Sequence, residues 1–454
     1  MKRILSLTAA TALVLAACGE QNSTAPNESA PVAAAASQKT PSYVISYSAA
    51  QAGDLSLAIQ RAGGKARKVI PGAGLATAVS SDAAFADRLK ASPGVRAVTR
   101  DTVLQWVPRE QVTRASIGSD EPFFGFQWAL TAVHASEAWD AGATGRGARV
   151  AVLDGGLNAS HIDLKGNVDV NRSTSFFDGL AFNQDDDPDH FSHATHVAGI
   201  IAAQNDQKGT IGIAPNATII GVKVLHQGSG SFGQVIEGIA YAATSTRDGG
   251  AGADIINMSL GATVSSGMDS RLDALTAALD QATTFAYNRG VLVIASAGNG
   301  DKVGNGINHD LGNWLTIPAQ SAHVLGVSAL GPVGFANGAT NFDRLASYSN
   351  FGLSIIDFSG PGGDAVLFPA DGWFEDMVLS PASLPENNGY FFAAGTSMSA
   401  PAVAAVAALI VSEKGHMSPD ALEAALAASS DDLGAAGTDA IYGKGRVNAG
   451  RAVQ

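Results

Sequence analysis

The chain has 454 residues, of which 46% are hydrophobic and 15% charged. That is enough apolar material for a large core, so wholesale disorder is excluded. Its 28 basic against 41 acidic residues leave a net charge of −13, which disfavours a nucleic-acid partner. The only cysteine is Cys18, so an intramolecular disulfide is impossible.

Residues 1–17 read as a targeting segment. Lys2 and Arg3 precede an apolar run, Ile4 to Ala17, that is too short to span a bilayer comfortably. It ends Leu15-Ala16-Ala17-Cys18, which resembles a bacterial lipoprotein signal, with an ordinary signal peptide as the alternative. The resemblance implies lipidation of Cys18, and acyl chains would anchor the precursor to a membrane. No later stretch reads as a span. Residues 18–41, rich in Ala, Ser, Asn and Pro, read as a flexible tether.

From 42 to 105 the pattern predicts β-α-β-β-α-β, a split ferredoxin-like unit. The expected strands are Tyr43–Ser48, Lys65–Pro71, Leu75–Val79 and Val95–Leu104; the helices are Asp54–Arg61 and Ala83–Ala91. Residues 106–124 lack a period and read as a linker. Beyond them strands and helices alternate. Continuous apolar strands are expected at Ala148–Leu153, Thr218–Val224, Ile255–Met258, Val291–Ala295 and Val324–Ala329. Helices are expected at Ser192–Gln204, Gln234–Thr244, Ser270–Arg289 and Ala400–Lys414. Strands buried on both faces imply an α/β sandwich with a mostly parallel central sheet.

Four segments of this part carry polar groups suited to chemistry. In VAVLDGG (150–156) an apolar strand runs into Asp154, where α/β proteins place their sites, although a turn-capping aspartate reads the same way. The glycines at 142, 145 and 147 precede that strand, which does not match a dinucleotide fingerprint. In HFSHATHVAG (190–199), His193 could act as a base. The spacing of His190, His193 and His196 behind Asp185, Asp186, Asp187 and Asp189 leaves a metal reading open, but no HExxH glutamate is present. In AGTSMSAP (394–401), Ser397 lies near a helix N-terminus, where free N–H groups favour a developing oxyanion; Ser397 or Ser399 could instead be a cap. In ASAGNG (295–300), Asn299 is either a turn residue or an amide donor.

Taken together, a carboxylate, an imidazole, an amide and a hydroxyl are the parts of acyl transfer. In the order Asp, His, Asn, Ser, these segments resemble the motifs of the subtilisin-like serine proteases, the subtilase family. HATHVAG (193–199) and GTSMSAP (395–401) carry the likeness with VAVLDGG. IGIAPNA (211–217), INMSLG (256–261), IPA (317–319) and YGKGRVNA (442–449) resemble further landmarks. Two positions depart from the family pattern: Gly155 stands where Thr or Ser is usual, and Ala194 where Gly is usual.

The resemblance implies a subtilisin-like catalytic domain at 125–454 and an inhibitory propeptide at 42–105, with processing in the linker. It implies Ser397 as nucleophile, His193 as general base and acid, Asp154 as its orienting partner and Asn299 in the oxyanion hole. Protein or peptide substrates would pair as a strand with Gly228-Ser229-Gly230 and Ser259-Leu260-Gly261, with Phe232 walling an apolar pocket. Structural calcium is implied at Asp163 and Asp206 with the backbone oxygens of Gln204, Lys208 and Thr210, and Gln127 is a candidate for the remaining ligand. The expected location is the bacterial cell envelope, or the exterior after processing. A binding module on an inactive protease fold and a metallohydrolase are the rival readings.

Overall fold

The computed structural model describes residues 40–48, 52–106, 112–114, 123–184, 191–265, 267, 269–301, 303–382 and 389–454. The targeting segment, Cys18 and nearly all of the tether lie outside the described residues, as does His190 with Asp185, Asp186, Asp187 and Asp189.

The N-terminal unit contains β1 (Ser42–Tyr47), α1 (Ala52–Arg61), β2 (Lys65–Ile70), β3 (Leu75–Val79), α2 (Phe85–Lys90) and β4 (Val95–Arg100). Its antiparallel strands lie in the order β2-β3-β1-β4. This is the expected alternation. Ile45, Leu55, Ile59, Ala76, Phe85 and Leu89 form a small core of its own. Val44, Ile70 and Leu75 instead join a second apolar cluster that belongs to the large domain.

The expected strand Val95–Leu104 is interrupted. β4 stops at Arg100, and a separate β5 (Val103–Gln105) leaves the sheet. The Asp101 carboxylate accepts from the Thr102 and Gly233 backbone N–H groups, which turns the chain away from its sheet. A short β6 (Val112–Arg114) follows, then α3 (Trp128–Ala132) and α4 (Ala135–Asp140).

The central sheet of the large domain is built from β7 (Arg149–Asp154), β8 (Thr174–Ser175), β9 (Thr218–Lys223), β11 (Ile255–Met258), β13 (Leu292–Ser296), β15 (Val324–Gly331), β16 (Arg344–Leu345) and β17 (Phe358–Pro361). Its order is β16-β15-β13-β11-β7-β9-β8, with β17 also on β15; every pair is parallel except β15–β16. Three small pairings flank it: β10 (Ser229–Ser231) with β5; β12 (Ala262–Ser265) with β14 (Trp314–Ile317); and β18 (Val378–Ala382) with β19 (Gly389–Ala393) and β6.

Alternate residues of β7 point to opposite faces. Val150 and Val152 pack with α5 (His193–Ala202) and α8 (Thr396–Lys414), whereas Ala151 and Leu153 pack with α6 (Phe232–Ala243) and α7 (Ser270–Asn288). The three-layer sandwich follows from that two-sided burial. α9 (Pro419–Ser429) and α10 (Ala449–Ala452) complete the chain. By length and composition alone α8 is long and apolar enough to cross a membrane, but 89% of its most apolar window is buried inside the fold. It is the central core helix.

Candidate active site

The ends of three adjacent parallel strands set the site. β7 ends at Asp154. In the β7–β11 register Asn257 lies opposite Val152, and Ser259 follows directly after the end of β11. β13 runs beside β11 and continues into Gly298-Asn299-Gly300. These are the carboxyl ends of the strands, where open α/β sheets place their ligands.

Asp154 is buried, and both its oxygens face Nδ1 of His193, at 2.9 and 2.8 Å. The carboxylate therefore fixes the tautomer with Nδ1 protonated. The Gly155 N–H donates a further bond to Asp154 Oδ1 at 2.6 Å. A backbone donor thus holds the carboxylate where the family usually carries a hydroxyl residue. His193 opens α5, and Ser192 before it sits at φ 47 with its hydroxyl donating to the Gly156 carbonyl. That bond ties the start of the helix to the loop after Asp154. The added methyl of Ala194 is buried in the core beside α8.

His193 and His196 do not share a ligand. His196 is fully buried, its Nε2 bonded to the Phe391 carbonyl at 3.1 Å, and burial lowers its pKa to about 3. His161 bonds the Gly389 carbonyl in the same way at 3.0 Å, and burial lowers its pKa to about 4. Both stay neutral and use Nε2–H to hold β19, the strand that leads into Ser397.

Ser397 is the second residue of α8, in the first turn, where N–H groups have no helical acceptor. Its Oγ donates to the Ser259 carbonyl at 3.2 Å, and the Ser259 hydroxyl returns a bond to the Ser397 carbonyl at 2.7 Å. Asn299 is fixed through its oxygen, since Oδ1 accepts from the Thr396 N–H at 2.9 Å and the Thr396 hydroxyl at 2.7 Å. Its Nδ2 consequently faces away from Thr396 and has no hydrogen-bond partner among the described residues. The helix is longer than expected. It starts at Thr396 behind Gly395, so neither Ser397 nor Ser399 is the cap.

A cleft strand is already in place. β5 pairs antiparallel with β10, matching Gln105 to Ser229 and Leu104 to Gly230. The Trp106 N–H continues onto the Gly228 carbonyl, and the Gly261 N–H donates to the Trp106 carbonyl. The indole is fully buried, donates from Nε1 to the Gly230 carbonyl at 2.7 Å and meets Phe232 edge-on at 5.1 Å. The chain returns at β6, antiparallel to β19. Trp106, read from sequence as the first residue of a linker, is part of this contact. A lone aromatic in an unpatterned stretch gives no signal of it.

The loop after α5 is held differently from expectation. Asp163 is buried, and its Oδ2 accepts from the Thr210 N–H at 2.8 Å and the Thr210 hydroxyl at 2.9 Å. Its Oδ1 accepts from Tyr390 at 2.9 Å. Burial raises the Asp163 pKa to about 6, and the Asp206 charge adds to the rise. Lys208 Nζ lies 3.3 Å from Asp206 Oδ2, and the Gln204 side chain accepts from the Gly166 N–H. The Gln127 side chain is spent on both backbone groups of Ile211, at 3.0 Å each, so it is not a free ligand.

Known proteins resemble both the sequence and the fold. The profile of the Subtilase family, Peptidase_S8, matches residues 145–445. The thermophilic serine proteinase of Bacillus sp. (strain AK1) is 31% identical over 363 residues, covering 79% of this chain and 75% of that protein. Thermitase of Thermoactinomyces vulgaris is 33% identical, covering 74% of this chain and 99% of the relative. Among solved structures, a protease of Pseudoalteromonas arctica is 30% identical with a TM-score of 0.58, covering 74% and 98% of the two chains. The epidermin leader peptide processing serine protease of Staphylococcus aureus shares the fold, with a TM-score of 0.72 at 20% identity over 91% and 99%. With strand ends, helix N-terminus and sequence in agreement, this chain belongs to the subtilase family and is a serine protease that hydrolyses peptide bonds in protein or peptide substrates.

Proposed function

We propose that Ser397 is the nucleophile, His193 its base, Asp154 the group that orients the base, and Asn299 an oxyanion donor. The observation that carries this reading is the Asp154–His193 contact, at the same end of adjacent strands as Ser397 and Asn299. The Ser397 hydroxyl turns from the Ser259 carbonyl to His193 Nε2 and attacks the scissile carbonyl. His193 takes its proton and returns it to the leaving amine. Asp154 stabilises the imidazolium. Asn299 Nδ2 and the Ser397 N–H receive the oxyanion. Water then resolves the acyl-enzyme by the same proton path. Purified Ser397→Ala should lose both casein hydrolysis and labelling by a fluorophosphonate. An inactive binding module would not label even as wild type, and a metallohydrolase would respond to zinc chelators instead.

Residues 42–105 act as an inhibitory propeptide in this reading. The support is β5 lying on Ser229-Gly230-Ser231 as an added strand, with the Trp106 N–H reaching the Gly228 carbonyl, the mode of main-chain substrate recognition. Processing is assigned to the linker between about Pro108 and Asp120. Lipidation of Cys18 holds the precursor on a membrane, and processing frees the catalytic domain to the exterior. A relative from Bacillus subtilis carries the name minor extracellular protease.

Calcium is assigned to the loop after α5. The fit rests on Asp206 Oδ1, buried without a partner among the described residues, beside a desolvated Asp163 that keeps one acceptor position open. The backbone oxygens of Gln204, Lys208 and Thr210 supply further hard ligands. The ion would neutralise the Asp163 carboxylate, which burial disfavours, together with the Asp206 charge that adds to that rise.

A further inference from the structure

The oxyanion loop rests on a residue far from it in sequence. Asn350 has no exposed surface. Its Nδ2 donates to the Ala297 carbonyl at 2.8 Å, and its Oδ1 accepts from the Gly300 N–H and the Ile307 N–H, both at 3.1 Å. Its own backbone N–H donates to the Gly298 carbonyl at 3.0 Å. One side chain thus ties the chain immediately before Asn299 to the chain immediately after it. Two N–H donors at one end of the amide and a carbonyl at the other fix its orientation without ambiguity.

The glycines on either side of Asn299 fit this contact. Gly298 and Gly300 sit at φ 98 and φ 82, a region that side chains disfavour. A Cβ on Gly298 would stand 2.7 Å from Asn350 Nδ2, so the amide fills the space a side chain would need. Asn299 is then clamped from both sides. Thr396 holds its side-chain oxygen, and the Thr396 hydroxyl also accepts from the Gly298 N–H at 3.0 Å. Asn350 holds the backbone on which that side chain stands. Electrostatic stabilisation of an oxyanion depends on donors fixed in advance, because a donor that must move gives back much of its benefit.

We propose that Asn350 is a positioning residue for catalysis, setting the Asn299 amide through the Gly298–Gly300 backbone. The proposal rests on the oxyanion role assigned to Asn299 above. Asn350→Asp keeps the acceptor for Gly300 and Ile307 but sets a carboxylate oxygen against the Ala297 carbonyl.

The test is a double-mutant cycle between positions 350 and 299. The chain is expressed at full length and assayed after maturation on a chromogenic peptide, with kcat, KM and melting temperature measured together. Asn350→Asp should lower kcat by about 10- to 100-fold, with KM changed less than about threefold. In the Asn299→Ala background the same change should cost less than about threefold, because the group it positions has gone. If it costs as much there as in the wild type, Asn350 acts on stability or on another group, and the proposal is overturned. If Asn299→Ala itself leaves kcat unchanged, the oxyanion reading fails, and the positioning role falls with it. Should Asn350→Asp not accumulate as folded protein, Gly298→Ala disturbs the same contact from the loop side and completes the cycle with the same criteria.

Discussion

Replacing Trp106 by Ala should loosen the N-terminal unit from the cleft. The indole is fully buried, its Nε1–H bond to the Gly230 carbonyl is 2.7 Å long, and its ring meets Phe232 at 5.1 Å. Truncating a buried Trp costs about 3–5 kcal/mol. At about 1.4 kcal/mol per decade the inhibition constant should rise by roughly 10²- to 10⁴-fold. The backbone bonds from Gly261 and to Gly228 survive the change, which favours the lower part of that range. Residues 42–106 would be added in trans to the matured enzyme, and hydrolysis of a chromogenic peptide followed. Trp106→Phe keeps most of the area and the edge-on contact but loses the indole N–H, so it should cost only about 3- to 10-fold. An inhibition constant that shifts less than threefold in Trp106→Ala would refute the idea that residues 103–106 anchor the unit in the cleft.

Inhibition by the same segment should weaken as pH rises. Glu237 of α6 is buried against the Thr77 hydroxyl of β3, and burial raises its pKa above the ordinary 4.5, against the pull of Arg67 and Lys68 and with Asp101 adding to the rise. The complex therefore favours the protonated acid. It is tightest below the ordinary carboxylate value and loosens as pH passes the raised one. Glu237→Gln should flatten that dependence of the inhibition constant. Asn299→Ala should lower kcat by about 10²–10³ with little change in KM, a loss known for this donor in the family rather than one worked from this geometry. An effect confined to KM would make Asn299 a turn residue only. Chelation should lower the melting temperature of the matured enzyme, and excess calcium should restore it. The Asp163→Ala, Asp206→Ala double variant should lose that response, and a wild type indifferent to chelator would remove the ion from the account.

The parts of the fold legible in the sequence are those governed by two-sided burial. β7, β9, β11, β13 and β15 fall close to their expected places because both faces of each strand are apolar. Asp154, His193, Asn299 and Ser397, the residues of the proposed site, stand out in the sequence because each follows such a strand or opens a helix. The features that the sequence does not mark depend on contacts distant in sequence. The break after Arg100 is set by Asp101 accepting from Gly233, a residue on a helix of the large domain. Asn350 carries no local signal, since its partners lie at 297, 300 and 307. Gln127 offered a plausible ligand by position alone, and its use by Ile211 is visible only in three dimensions. β12, β14 and β18 carry Thr, Ser or Pro within their runs, and β19, though apolar and buried, is the middle strand of a small flanking sheet whose partners lie far away in sequence.

The most direct test of the central claim is to locate the covalent adduct. The matured wild-type enzyme would be treated with a fluorophosphonate, digested and mapped by mass spectrometry. Stoichiometric modification is expected at Ser397, in step with loss of peptide hydrolysis, and none in His193→Ala, where no base activates the hydroxyl. Modification at another residue, or full peptidase activity with Ser397 modified, would contradict that claim.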